Sequence, residues 1–103
     1  MPSYLVQAKY APATLASLVK HPTDRSQILK GAVAKLGGSV EAFWFCFGEY
    51  DVLGIVTLPD NVSAVALTMG IGATGTFQDG KSTPLLSVQE GIAAMTKAGS
   101  LAS

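Results

Sequence analysis

Residues 4–10, YLVQAKY, alternate, with Tyr4, Val6, Ala8 and Tyr10 on one side and Leu5, Gln7 and Lys9 on the other. A period of two over such a run predicts a strand with one buried face. Pro12 suits the first turn of a helix that ATLASLVK continues to about Lys20. His21-Pro22 ends it, because proline disfavours helical geometry in the residue before it. A second helix is expected from Thr23 or Asp24, with Asp24 and Gln27 at capping-box spacing. Its apolar stripe is Ile28, Leu29, Ala32, Val33 and Leu36, and Gly37-Gly38 stops it.

SVEAFWFCF (39–47) predicts an aromatic-rich strand, and Gly48-Glu49 a tight connection into YDVLGIVTL (50–58). Pro59-Asp60 opens a helix with Asp60 as N-cap, running to about Met69. An extended segment follows from about Thr74 to Leu86, kinked near Gly80. Ser87 and Glu90 then stand at capping-box spacing before a short helix ending near Gly99. The order β-α-β-β-α-β plus a terminal helix is the ferredoxin-like arrangement of a single α+β domain, residues 1–103. It predicts an antiparallel sheet with helices packed on one face.

In the strand at 39–47, strict alternation would send Phe43, Phe45 and Phe47 one way and Val40, Ala42, Trp44 and Cys46 the other. Both faces are apolar, whereas a one-sided α+β sheet should be polar on its open face. The expected remedy is a second copy, two sheets packing face to face across a two-fold axis.

Composition points the same way. Apolar residues make up 49% of the 103 and charged residues 14%, against a usual charged share of about 25%. So little charge leaves too few polar groups to cover a small domain, and a homo-oligomer is the inference. Seven basic and seven acidic side chains cancel, which argues against nucleic acid as partner. No apolar run is long enough to span a bilayer, and MPSYLVQAKY lacks the layout of a signal peptide, so a cytoplasmic location is expected. One cysteine excludes an internal disulfide, and one histidine without a ligand partner nearby makes a metal site unexpected. No cofactor is expected.

Gly70, Gly72 and Gly75 in TMGIGATGTF fall on the G-x-G-x-x-G spacing that cradles a dinucleotide. That motif needs a strand before the glycines and a helix after them, so that a helix N-terminus meets the pyrophosphate. Here a helix precedes and a strand follows, and the helix end at the loop is the negative one. The glycines are read as a helix stop and a turn, not a nucleotide site.

The run FWFCFGEYDVLGIVTLPD, preceded by HPTDRSQILKGAVAKLGGSV, resembles the GYD-domain family of small bacterial and archaeal proteins. Its marks here are Gly48, Tyr50 and Asp51 in the hairpin, Asp24 and Arg25 opening the long helix, and Pro59 and Asp60 opening the next. Glu49 inside the turn is a departure. GATGTF leading to TPLLSVQEGI is similar to the family's closing strand and helix. The resemblance implies the fold of the dimeric α+β barrels, whose members include monooxygenases, isomerases, dehydratases and small-molecule sensors. Fold analogy does not choose among them.

Five side chains are candidates for chemistry. His21 is a potential general base, or a surface residue at a helix break. Asp51, at the start of an apolar strand, is either a base of raised pKa or a structural acceptor for turn amides. Arg25 is a clamp for a substrate carboxylate or half of an ion pair. Trp44 and Tyr50 are candidates to line a ligand pocket with them, although a subunit seam is the favoured reading of Trp44. Two function classes follow. One is a homo-oligomeric protein binding an apolar or aromatic small molecule between helices and sheet, with cofactor-independent proton transfer as its chemistry. The other is a non-catalytic oligomeric sensor or protein-interaction module.

Overall fold

A computed structural model describes residues 1–101. The elements are β1 (Ser3–Tyr10), α1 (Pro12–Lys20), α2 (Ser26–Lys35), β2 (Ser39–Phe45), β3 (Val52–Thr57), α3 (Asn61–Ala73), β4 (Phe77–Leu85) and α4 (Val88–Leu101). The strands form one four-stranded sheet in the order β2-β3-β1-β4, every pair antiparallel. This is the ferredoxin-like α+β topology. Among the described residues no helix is long and apolar enough to cross a membrane.

One face of the sheet carries Tyr4, Ala8 and Tyr10 of β1 and Val52 and Val56 of β3, all buried as the alternation of β1 predicts. Val33 of α2 and Ala64 and Leu67 of α3 close over it, and with Tyr4, Val56 and Leu58 they make the main core. Leu58, Val33 and Val56 are completely inaccessible to water. A smaller cluster of Ala8, Tyr10 and Val52 lies at the other end of the sheet.

Several boundaries follow local chemistry. Asp60 caps α3, its carboxylate accepting from the Ser63 amide at 2.8 Å. Ser87 and Glu90 form a reciprocal capping box, Ser87 N–H to Glu90 Oε1 at 3.0 Å and Glu90 N–H to Ser87 Oγ at 3.1 Å. Gly37 follows α2 with φ of 83°, as a helix stop requires. Other expectations are corrected. Helix α2 begins later than expected, at Ser26. Asp24 bonds the Ser26 amide at 3.0 Å and Arg25 occupies the N-cap. Helix α3 runs through Gly70 and Gly72 to Ala73, because those glycines meet no conformational demand within it and only Gly75 has positive φ, 73°. The β2–β3 connection is the longer segment 46–51, not a two-residue turn. It is closed by Cys46 N–H donating to the Asp51 carbonyl at 2.8 Å.

The largest correction concerns β2. The pairing slips between Val40 and Ala42, so that Val40 faces Val56 and Phe43 faces Gly54, while Trp44 faces Leu53. One bulged residue, Glu41, reverses the parity of everything before it. Val40, Phe43 and Phe45 therefore share the helix-covered face, and Trp44 stands on the open one. The open face carries Leu5, Ala42, Trp44, Leu53, Ile55 and Leu85, read from the registers. Among these Trp44 is 65% exposed.

The terminal helix α4 stands apart. All its described residues except Gly91 are exposed, including Val88, Ile92, Met95 and Leu101. The molecule is accordingly long, 59 × 29 × 22 Å, with a radius of gyration of 16.1 Å, against roughly 13 Å for a compact domain of this size.

Two outcomes are expected from this packing. A Cβ at Gly38 would overlap the Thr57 carbonyl and lie 2.8 Å from Leu58 Cδ2, whereas one at Gly31, inside α2, would meet nothing within 4 Å. Gly38→Ala should cost about 3 kcal/mol or more in denaturant unfolding. Gly31→Ala should instead stabilise by about 0.5–1 kcal/mol. Separately, the Ser63 amide holds the Asp60 carboxyl below its ordinary value. Its contribution is therefore complete above roughly pH 4 and lost as pH falls through the lower folded value. Asp60→Ala should lower Tm by a few degrees at pH 7, and the gap to wild type should close in acid.

Candidate functional site

The gap between the two core clusters is the site. Sheet and helices diverge there, and small residues do not fill the space: Ala8 on β1, Ala32 on α2, Gly72 on α3 and Gly80 on β4. Two adjoining cavities of about 100 and 360 Å³ result, sharing Leu29, Phe43, Val52, Ile71 and Phe77 as walls. The larger falls within the roughly 300–1,000 Å³ of small-molecule sites. Tyr10 and Phe77, opposite each other on β1 and β4, stack at 5.1 Å and 18° and form one aromatic wall. Phe43, on the same face as Val52 and Val56, supplies another, with Phe45 edge-on to it at 6.2 Å.

Polar groups are few. Arg25 lines the smaller cavity from the N-cap of α2, and Thr74 and Thr76 line it from the α3–β4 turn. The two threonines are bound to each other, Thr74 Oγ1 to Thr76 Oγ1 at 2.9 Å. Tyr10 is 4% exposed and lies within electrostatic reach of both Arg25 and Asp51. Burial raises its phenol above the ordinary value against the pull of Arg25, with Asp51 adding to the rise. It stays protonated, a donor, at neutral pH. The rim of the larger cavity carries one charge of each sign, Lys81 and Asp79.

The five expected site residues are not brought together. Arg25 alone lines a cavity. Asp51 is a clamp between strands: its Oδ2 accepts from the Tyr10 amide at 2.9 Å and its own amide donates to the Ala8 carbonyl at 2.9 Å. It acts on the cavity through the strand that carries Tyr10. His21 is exposed at the C-cap of α1, its amide on the Ser17 carbonyl. Trp44 is on the opposite side of the sheet, paired with Leu53 and alternating with Phe43 and Phe45. Tyr50 lies in the 46–51 segment, its phenol raised by partial desolvation and by Glu49 and Asp79. Among the described residues no cluster of His, Cys, Asp and Glu is suited to a metal. Sequence reasoning missed Tyr10 and Phe77. Tyr10 was visible as the last inward position of an alternating strand, but Phe77 gains meaning only from its pairing with Tyr10 across the sheet.

The element order and the four-stranded antiparallel sheet define an α+β protein of ferredoxin-like fold. The chain belongs to the GYD domain family, which it matches over residues 4–95. Solved structures share the fold. The protein TTHA0845 from Thermus thermophilus is 20% identical with a TM-score of 0.56, over 85% of this chain and 96% of that one. FFRP-DM1 is 14% identical with a TM-score of 0.55, over 84% of this chain and all of that one. The hypothetical protein PHS023 from Pyrococcus horikoshii is 12% identical with a TM-score of 0.52, over 84% and 92%. No curated protein matches the chain.

The clamp makes a specific expectation. Asp51→Ala should cost about 1–2 kcal/mol, because the Tyr10 amide loses its acceptor in a partly buried place. Asp51→Asn keeps an acceptor oxygen and should cost less than half of that by denaturant unfolding. Equal losses would mean that the charge, not the bond, is what the fold requires.

Proposed function

We propose that this GYD-domain protein is a homo-oligomer that binds a small apolar molecule with an aromatic body in the cavity between α2, α3 and the sheet. The observation that carries the reading is the cavity itself. Its walls are aromatic and aliphatic, and a few polar groups sit at one end, the usual composition of a ligand site. Binding is favoured over turnover because proton transfer needs a base aimed at the ligand. Asp51 is engaged with a strand amide, His21 is exposed at the end of α1 and outside the lining, and Asp79 at the rim is the carboxylate the lining carries.

Assembly is supported by the open sheet face and by α4. A stable interface takes roughly 800 Å² from each partner. Leu5, Trp44, Leu53, Ile55 and Leu85 form a contiguous apolar band for it. Val88, Ile92 and Met95 of α4, spaced i, i+4, i+7, add a stripe on a helix of 14 residues that makes little contact with its own chain. A helix of that length is marginal in water without packing. These features alone also support a second reading, an assembly module with no ligand.

Two substitutions separate the readings. Ala32→Trp fills the cavity and should abolish binding of naphthalene-2-methanol, measured by calorimetry, without changing mass in sedimentation. Ile55→Asp places a charge in the apolar band and should yield smaller species at micromolar concentration. Wild type that sediments as a multimer but binds no such probe would leave the second reading. A wild-type monomer at that dilution would remove the assembly claim.

A further inference from the structure

We infer that Arg25 and the Tyr10 hydroxyl form an anion-recognition point at the end of this cavity, so that the ligand is an aromatic-bodied carboxylic acid bound as its carboxylate. The inference rests on the cavity reading above and names the ligand class for it.

Arg25 has no structural reason to stand where it does. Among the described residues no carboxylate pairs with it. Asp24, its sequence neighbour, is committed to the amide and hydroxyl of Ser26. Asp51 is committed to the Tyr10 amide. Moreover, the N-cap of α2 is the positive end of a helix, where a cation is disfavoured and an anion welcome. A half-buried guanidinium without a counter-ion, facing apolar walls, is satisfied by a ligand that brings the charge.

The phenol is the second, independent observation. Tyr10 is 4% exposed. Its main chain is bonded to Asp51, but no hydrogen bond to its hydroxyl is made by the described residues. No side-chain polar atom among them is both fully enclosed and without a partner. The hydroxyl therefore keeps accessible surface on a residue that is otherwise buried and lines the smaller cavity. A donor of this kind, without a protein partner, matches an acceptor delivered into the site.

Charge decides the class. One guanidinium presents a planar fork that fits the two oxygens of a carboxylate. A phosphate monoester would bring a second negative charge near Asp51, with one cation to oppose it. The stacked Tyr10–Phe77 pair and Phe43 offer ring surfaces to an aromatic body.

The test compares 2-naphthoate with naphthalene-2-methanol by calorimetry at pH 7, on wild type, Arg25→Gln, Arg25→Lys and Tyr10→Phe. Wild type should bind the acid roughly tenfold or more tighter than the alcohol. Arg25→Gln should erase that preference while leaving the affinity for the alcohol within about twofold. Tyr10→Phe should reduce binding of the acid several-fold and that of the alcohol little. Arg25→Lys, with charge but no fork, should retain part of the preference, and it carries the test should Arg25→Gln fail to melt cooperatively. Equal wild-type affinities for acid and alcohol, or a preference untouched by both Arg25 variants, would overturn the anion site and leave the cavity reading standing. Binding of neither compound would overturn both.

Discussion

A sheet in water needs both faces covered, or polar side chains on the one left open. This chain covers one face within one copy and leaves the other mixed, with Gln7, Lys9 and Lys81 along from the apolar side chains. Its helices α2 and α3 close one face over Val33, Val56 and Leu58, which are fully enclosed. The other face keeps Leu5, Leu53, Ile55 and Leu85 beside Trp44. The scarcity of charge, 14% of residues, is the compositional form of the same constraint. Charge on a surface that is to be desolvated is costly, and the proposed assembly would account for the apolar band around Trp44 and for the unpacked α4. The cavity, by contrast, depends on the covered face, so the proposed ligand site and the proposed interface lie on the two sides of one sheet.

One extra residue decides where β2 begins its packing. The bulge at Glu41 puts Val40 on the same face as Phe43 and Phe45, opposite Val56, where strict alternation would send it with Trp44. Val40 thereby packs against the main core, while the alternation of Phe43, Trp44 and Phe45 sends the two phenylalanines to the cavity side. Glu41 itself is held on the outer side, its Oε1 accepting from Ser39 Oγ at 2.9 Å and from Thr57 Oγ1 at 3.3 Å. A polar residue anchored at the strand's start is a sound place for a bulge, because the unpaired backbone there stays near solvent.

The legible part of the fold was the part fixed by local pattern. The alternation of YLVQAKY reports its buried side correctly because Leu5, Gln7 and Lys9 differ in kind from Tyr4, Ala8 and Tyr10. Asp60 and the Ser87–Glu90 pair act over three residues, within reach of sequence reasoning. AFWFCF carries no such contrast. When both parities are apolar, nothing in the run marks which face is covered or where alternation breaks, so neither the inward turn of Phe43 nor the change of side at Val40 was legible. The glycines of TMGIGATG misled in the same manner: helix and turn both accept glycine, and the stop falls at Gly75 alone. The site was least legible because it is non-local. Phe77 meets Tyr10 through strand pairing, and Arg25 approaches the same phenol from the N-cap of a helix.

Asp51 shows how a structural role and a functional one share a residue without being the same. Its carboxylate fixes the amide of Tyr10, and its own amide is fixed by Ala8, so β1 is gripped from both directions where its last inward side chain enters the cavity. That grip leaves the phenol free of other duties. It also sets a negative charge beside the phenol, which helps keep the proton on it. The same charge penalises a dianion more than a monoanion. A side chain outside the cavity lining thus sets the charge, position and protonation of Tyr10, which lines it.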